Sequence, residues 1–375
     1  MNLCHSSGNT GIAWRYTQST APSSSSSSIS STPTSTSSLA PGTACNNSPN
    51  LCAQSYSNIT HMGAHDSSFV RDASTGYSPF GNQFFNATVA LSAGIRLLQG
   101  QVYNENGTLK LCHTSCDLLD AGTLEDWLSK IKFWMDDNPN EVVTLLLVNS
   151  DNVAASSYGS VFESSGISTY GHIHTSPSTA SVSSWPTLGE MISSNKRLIT
   201  FIASVEYSTT YPYLLNEFAH VFETPYQNYG LSNFTCNLDR PSSMRTARAA
   251  ISGAMMPLMN HFSYKKYSDS IDVPNVSDID TTNSPSTSTT GALGQHADSC
   301  VSAWGAGIKP VFMLVDFYDK GPAIDTADRL NGVTNPVGRK SSQEAAGSSA
   351  GMKVKLGGGG FTVALVAFWG AALIA

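Results

Sequence analysis

Short apolar runs recur between about residues 50 and 330, separated by polar stretches. "VVTLLLV" (142–148) and "PVFMLVDF" (310–317) are apolar with little alternation. That is the pattern of parallel strands buried on both faces. Six further runs read as strands: 58–65, 94–103, 108–113, 197–203, 220–223 and 254–261. Helical periodicity lies between several of them, clearest in "GTLEDWLSKIKFWMDDNP" (122–139). There Leu124, Leu128, Ile131 and Met135 share one face, Thr123 and Asp126 are spaced as a capping box, and Pro139 ends the run. Eight strands with intervening helices predict an α/β fold, an irregular (β/α)8 TIM-type barrel in a single domain. An open doubly wound sheet is the alternative, disfavoured because no GxGxxG follows the first strand.

The pattern fails at both ends. Residues 16–44 are dominated by Ser, Thr and Pro and cannot bury enough apolar surface to offset their ordering entropy. They read as an O-glycosylated stalk or plain linker. The expected division is therefore 1–44 as a low-complexity segment, 45–330 as the barrel, and 331–375 as a linker and terminal signal. The first fifteen residues hold no apolar run, so no signal peptide is visible there. Phe361 to Ala375 is an apolar run shorter than the roughly 20 residues a spanning helix needs. Small residues 347–351 and a Gly-rich spacer precede it, the layout of a GPI-anchor signal with Ser348 or Ser349 as the attachment point. An extracellular, cell-surface protein held on the membrane through a lipid anchor is the expectation.

Composition agrees. Only 13% of the residues are charged, the formal net charge is −7 and no basic run occurs, so nothing points to nucleic acid. Seven cysteines form no CxxC pair, which argues against a zinc ribbon. Cys45 with Cys52 and Cys112 with Cys116 have the spacing of short disulfide loops, Cys236 with Cys300 could close a long one, and Cys4 is left over. Sequons begin at Asn46, Asn58, Asn86, Asn106, Asn233 and Asn275, all but Asn58 taken as glycosylation candidates because Asn58 falls at a strand start.

In a barrel, chemistry belongs at the C-terminal strand ends. Those ends carry His65 and Asp66, Gln99 and Gln101, His113, Asn149 and Asp316. Two histidines can act as base and acid on either side of a phosphorus atom, each steadied by a carboxylate. His61, four residues before His65, points to the same side and reads as a core group rather than a metal ligand. His172 and His174 in "GHIHT" read as exposed loop, Asp319 as a solvated turn residue, and Tyr226 and Tyr229 as core or surface rings that could stack on a sugar.

"GAHDS" (63–67), "GIRLLQGQVY" (94–103), "LKLCHTSC" (109–116) and "VFMLVDFY" (311–318) resemble the X-domain of phosphatidylinositol-specific phospholipases C, in its bacterial and fungal form. The resemblance covers roughly residues 50–325. It implies His65 as general base, His113 as general acid, Asp316 paired with the base and Asp66 supporting the acid. The implied substrate is a phosphodiester or phospholipid headgroup, attacked by a neighbouring hydroxyl. Gln99 and Gln101 stand where the family carries an Asp-x-Arg pattern or calcium-binding acids, and Asn149 where a basic residue is common. These three amides are the expected substrate-binding groups. The acid–base pair is kept while the charge clamp is gone, so a weak enzyme or an unusual substrate is expected, with no metal or cofactor. Metal-dependent glycerophosphodiesterases need acids at Gln99 and Gln101. A catalytically inactive barrel that binds a surface or wall polymer is the competing expectation.

Overall fold

The computed structural model describes residues 39–350 apart from 41, 270 and 306. The chain divides into two units, Met1–Ser37 and Ser38–Ala375. The Ser/Thr tract up to 38, Cys4 and the apolar run 361–375 lie outside the described residues.

Among the described residues twelve strands run in chain order: β1 His61–Ala64, β2 Leu97–Glu105, β3 Thr108–Cys112, β4 Asp120–Thr123, β5 Val143–Asn149, β6 Leu198–Ile202, β7 Leu214–Asn216, β8 Val221–Glu223, β9 Met256–Asn260, β10 Tyr264–Ser268, β11 Ile271–Pro274 and β12 Phe312–Val315. Eight of them form one parallel sheet in the order β7-β6-β5-β2-β1-β12-β9-β8. The expected run at 108–113 is not a barrel strand. It is β3, which folds back antiparallel on β2 and pairs with β4. The eighth barrel strand is β7, three residues long and too short to show a pattern. Residues 58–60 also fall outside β1, since Tyr56–Asn58 is a 3₁₀ turn.

Side-chain alternation sorts the sheet into two faces. Met62, Leu98, Leu145, Leu147, Ile202 and Met313 pack under the helices. Leu97, Leu146, Phe201, Leu215, Val221, Leu258 and Phe312 share the other cluster. That second cluster draws on every strand from β7 to β8 except β1, including both ends of the sheet. In a flat sheet β6 and β12, four steps apart, would be roughly 19 Å distant, yet the Phe201 and Phe312 rings lie 6.0 Å apart. The sheet therefore curls around an apolar interior. Crowding there fixes a glycine: a Cβ on Gly63 would come within 2.8 Å of Leu314 and 2.9 Å of Leu97 side-chain atoms.

The curl does not close by strand pairing. Among the described residues β7 and β8 are sheet ends, joined in sequence by the turn Glu217–His220. An insertion packs along this edge. Gly171 bridges to Leu198, His174 stacks on Trp185 at 4.1 Å, and His220 donates from Nε2 to the Pro177 carbonyl at 2.9 Å. The expectation of an exposed "GHIHT" loop is corrected: His174 is 2% exposed, because its ring completes the interior where a strand is lacking.

The helix Leu124–Asp137 forms as expected, with Thr123 accepting from the Asp126 amide at 3.1 Å. Only this half of the capping box is made. Disulfides join Cys45 to Cys52, Cys112 to Cys116 and Cys236 to Cys300, with Cα separations of 5.1, 4.6 and 5.1 Å. Beyond residue 331, Asn47 and Val337 exchange two hydrogen bonds, Lys340 binds Ser92, and Arg339 pairs with Asp328.

Candidate active site

Register builds the centre of the site. β1 and β12 pair in parallel with Ala64 opposite Val315, and the ladder continues through His65 N–H to the Val315 carbonyl at 2.9 Å. The next residues, His65 and Asp316, therefore leave the sheet side by side. His65 Nδ1–H donates to Asp316 Oδ1 at 2.8 Å, which in the neutral ring leaves the lone pair on Nε2. The residues that follow, Asp66 and Phe317, both take left-handed backbone (φ 45° and 46°). At Asp66 this turn sends the carboxylate back towards the barrel axis.

His113 lies just past β3, inside the five-residue loop closed by Cys112 and Cys116. Its Nε2 is 3.5 Å from Asp66 Oδ2, and His65 Nε2 is 3.6 Å from the same oxygen. The two nitrogens thus lie within about 7 Å of each other and converge on one point. Asp66 was expected to serve His113; instead it stands between the two imidazoles. Gln101 Nε2 donates to Asp66 Oδ2 at 2.9 Å while its Oε1 accepts from the Thr114 amide. Gln99 Oε1 accepts from the Asp66 amide at 2.6 Å. Both glutamines face inward, in phase with Leu97.

Asn149 does not join them. It is in phase with Leu145 and Leu147, on the helix side, where its amide binds both polar groups of Val153 and accepts from Tyr158. An odd offset along the strand placed it on the wrong face for substrate. Arg96 is structural: it pairs with Glu141 and donates to the Leu91 and Ile95 carbonyls. His61 is a core group, its Nε2 on the Tyr56 carbonyl and its ring against Phe312. Asp319 is not solvated; its side chain is 3% exposed and burial raises its pKa.

Several residues of the site carried no sequence signal. Asn82 Nδ2 donates to Asp316 Oδ1 at 3.0 Å, and Gln83 Nε2 to the His65 carbonyl at 2.6 Å. Asn283 ties down the Asp316 and Phe317 carbonyls. The Phe262 ring stacks on His65 with centroids 3.6 Å apart and the two planes nearly parallel. On neighbouring inward positions Glu223 binds Arg240 and Asn260, and Arg240 lies 4.7 Å over the Tyr226 ring. These are loop residues and strand-end polar groups, which follow no period. Tyr229 is a surface ring bonded to Asp272.

Burial opposes a charge on His65, but Asp66 and Asp316 outweigh it and hold its pKa above the usual value. Burial lowers that of His113, with His65 adding to the effect and Asp66 opposing it. Burial also raises the Asp66 carboxyl, against the pull of both imidazoles and Gln101. Burial would raise Glu223 too, yet Arg240 holds it low.

The sequons differ in access. Asn58, Asn86, Asn106 and Asn233 are exposed and Asn275 is half-buried. Asn46 is 7% exposed with its Nδ2 buried, while its Oδ1 accepts from the Val142 amide. Asn46 is thus corrected as a glycan site, and Asn58, set aside as a strand residue, is open.

The model of the PI-PLC X 1 family matches residues 51–331. An uncharacterized secreted protein of Arthroderma benhamiae is 38% identical over 77% of this chain, and the match spans 64% of that relative's length. A PI-PLC X domain-containing protein 1 of the same organism is 35% identical over 77% of this chain and 90% of its own. A phosphatidylinositol-specific phospholipase C from Listeria monocytogenes matches with a TM-score of 0.49 at 15% identity, over 74% of this chain and 95% of that one. Among the described residues no helix is long and apolar enough to cross a membrane.

Proposed function

Since the chain belongs to the PI-PLC X family, we propose that it is a phosphodiesterase that works by a His65/His113 acid–base pair. The observation that carries this reading is the convergence of the two Nε2 atoms on one point at 3.6 and 3.5 Å. A phosphoryl group that displaces Asp66 Oδ2 from between the imidazoles has a base on one side and an acid on the other. His65, with its proton fixed on Nδ1 by Asp316, removes the proton from a hydroxyl vicinal to the phosphoester. That oxygen attacks phosphorus, and His113 Nε2–H protonates the leaving alkoxide. Gln101 and Gln99 donate or accept hydrogen bonds where a cation would be stronger, so turnover is slow. Glu223, Arg240 and Asn260 supply the polar groups that a polyol headgroup needs, and Tyr226 a ring for its apolar face.

In the free protein His65 holds its proton more tightly than His113, the reverse of the productive arrangement. Both arrangements carry the same total charge, so the rate follows a bell-shaped pH curve scaled by the minor form. The test is turnover of a phosphodiester panel that includes phosphatidylinositol, with and without EDTA. Turnover unaffected by EDTA and abolished by His65→Ala or His113→Ala is the expected result. A folded protein without turnover on any member leaves the binding barrel. One observation favours that second reading: a buried carboxylate, Asp66, stands where an anionic substrate must enter.

The same proposal places the mature protein outside the cell, lipid-anchored after loss of residues 361–375 and without a glycan on Asn46. Release from membranes by an added GPI-cleaving phospholipase is expected. Retention of the apolar terminus in the membrane-bound protein rules the anchor out.

A further inference from the structure

Away from the site, His261 and His296 face each other through their Nδ1 atoms at 2.9 Å. His261 Nε2 lies 2.8 Å from the Thr282 carbonyl, and His296 Nε2 lies 3.2 Å from the Thr235 carbonyl. A carbonyl oxygen can only accept. Three contacts therefore ask for three protons, and two neutral imidazoles carry two. With both rings neutral, one ring nitrogen must turn a lone pair towards an acceptor.

The longest contact is the one that gives way. His261 then donates to Thr282, His296 Nδ1–H donates to His261, and the unspent lone pair sits on His296 Nε2. That ring stands beside Cys236 and Cys300, the three offering ligand atoms within 4.8 Å of one another. His296 and Cys300 are four residues apart on the helix Leu293–Trp304 and so share a face whether or not the sulfurs are bonded. A 520 Å³ cavity lined by Cys236, His296 and Arg245 opens onto them.

We propose that reduction of the Cys236–Cys300 disulfide creates a site for a zinc-like divalent ion held by Cys236 Sγ, Cys300 Sγ and His296 Nε2. Two thiols of a dithiol reductant are oxidised to a disulfide as the protein bridge becomes two thiols. The ion then displaces two protons from them, and a water completes the tetrahedron. The sulfurs must part to about 3.8 Å, the separation set by 2.3 Å metal–sulfur bonds at tetrahedral angles. His261 is a positioning residue: it fixes the His296 tautomer, as an outer-shell acceptor does in metal sites generally. The site is closed in the oxidised protein and available to the chain before the bridge forms.

Cobalt(II) is the probe, added to full-length protein reduced with an excess of a phosphine. One equivalent should give sulfur-to-cobalt charge-transfer absorption together with the intense visible bands of a tetrahedral ion. Oxidised protein should give neither. His261→Ala should weaken binding about 10- to 100-fold, and His296→Ala should abolish the tetrahedral spectrum while its circular dichroism stays native. If His296→Ala does not fold, Cys300→Ser is read in the same way. Reduced wild type without the spectrum, reduced protein that unfolds before binding, or binding unchanged in the folded variant each overturns the proposal.

Discussion

At the scale of single residues, Asp316 sets the protonation of His65 through one 2.8 Å bond. Removing its charge lowers the His65 pKa, so the alkaline limb of the rate profile, where His65 loses its proton, should move to lower pH in Asp316→Asn. An unmoved limb with reduced kcat would assign Asp316 a purely geometric role. Gln101 offers the second test. It faces inward and already contacts Asp66, so Gln101→Arg brings a cation to the convergence point and lowers the Asp66 pKa at once. Electrostatic donors of this kind are worth about 10²–10³ in rate; a rise of about tenfold or more in kcat/KM is expected after loss of the Thr114 bond. A variant that is folded and no faster would mean that phosphate charge does not limit turnover. His65, Asp66, His113 and Asp316 were all legible before folding because each follows an apolar run that ends abruptly. Asn149 ended a run too, and was misplaced. Strand ends are uncertain by a residue, and one residue changes the face.

At the scale of elements, the β2–β3 hairpin delivers His113 to a site otherwise built by parallel strands. The sequence pattern marked 108–113 as a strand but could not tell an antiparallel return from a barrel strand, since both are short and apolar. This geometry makes the Cys112–Cys116 bridge a tether for the acid. A loop that short contributes less than the about 3 kcal/mol of a 15-residue loop in the chain-entropy view. His113 Nδ1 has no hydrogen-bond partner among the described residues, and Phe69 meets the ring edge-on at 5.2 Å. The loop backbone thus does the positioning. Replacing both cysteines with serine should lower kcat about tenfold or more and move Tm by only a few degrees. Equal losses in kcat and Tm, tracked by thermal melts beside the assay, would show a structural staple instead. Thr123→Ala should behave in the opposite sense, costing about 1 kcal/mol of stability through the lost cap with kcat unchanged; a denaturant melt and an assay on the same sample separate the two.

At the scale of the whole molecule, the barrel lacks a strand contact between β7 and β8, and aromatic and imidazole rings fill the edge. His174 and Trp185 stack, and His220 meets His174 edge-on at 5.2 Å. Polarity hid this from sequence reading, because a histidine in a Ser-rich run looks like surface. Burial lowers the pKa of His61, His172, His174 and His296 to about 4 each, against 6.5 for the free side chain. Between those values the unfolded chain binds protons that the folded barrel refuses. Stability must then fall as pH drops from 6.5 towards 4, the usual consequence of histidines buried neutral. His65 works against this, since its raised pKa favours the folded form in acid, and so do the raised carboxyls of Asp66, Glu217, Asp319 and Asp325; but burial also lowers His113, His220 and His261, so seven histidines stand against five groups. His174→Phe keeps a ring that can stack on Trp185 and removes one titrating group. Thermal melts across pH 4 to 7 should show Tm falling with acid in the wild type and falling less steeply in the variant. Parallel curves for the two proteins would mean that the edge is wet and the ring titrates freely, and the account of His174 as the closing piece of the barrel would fail.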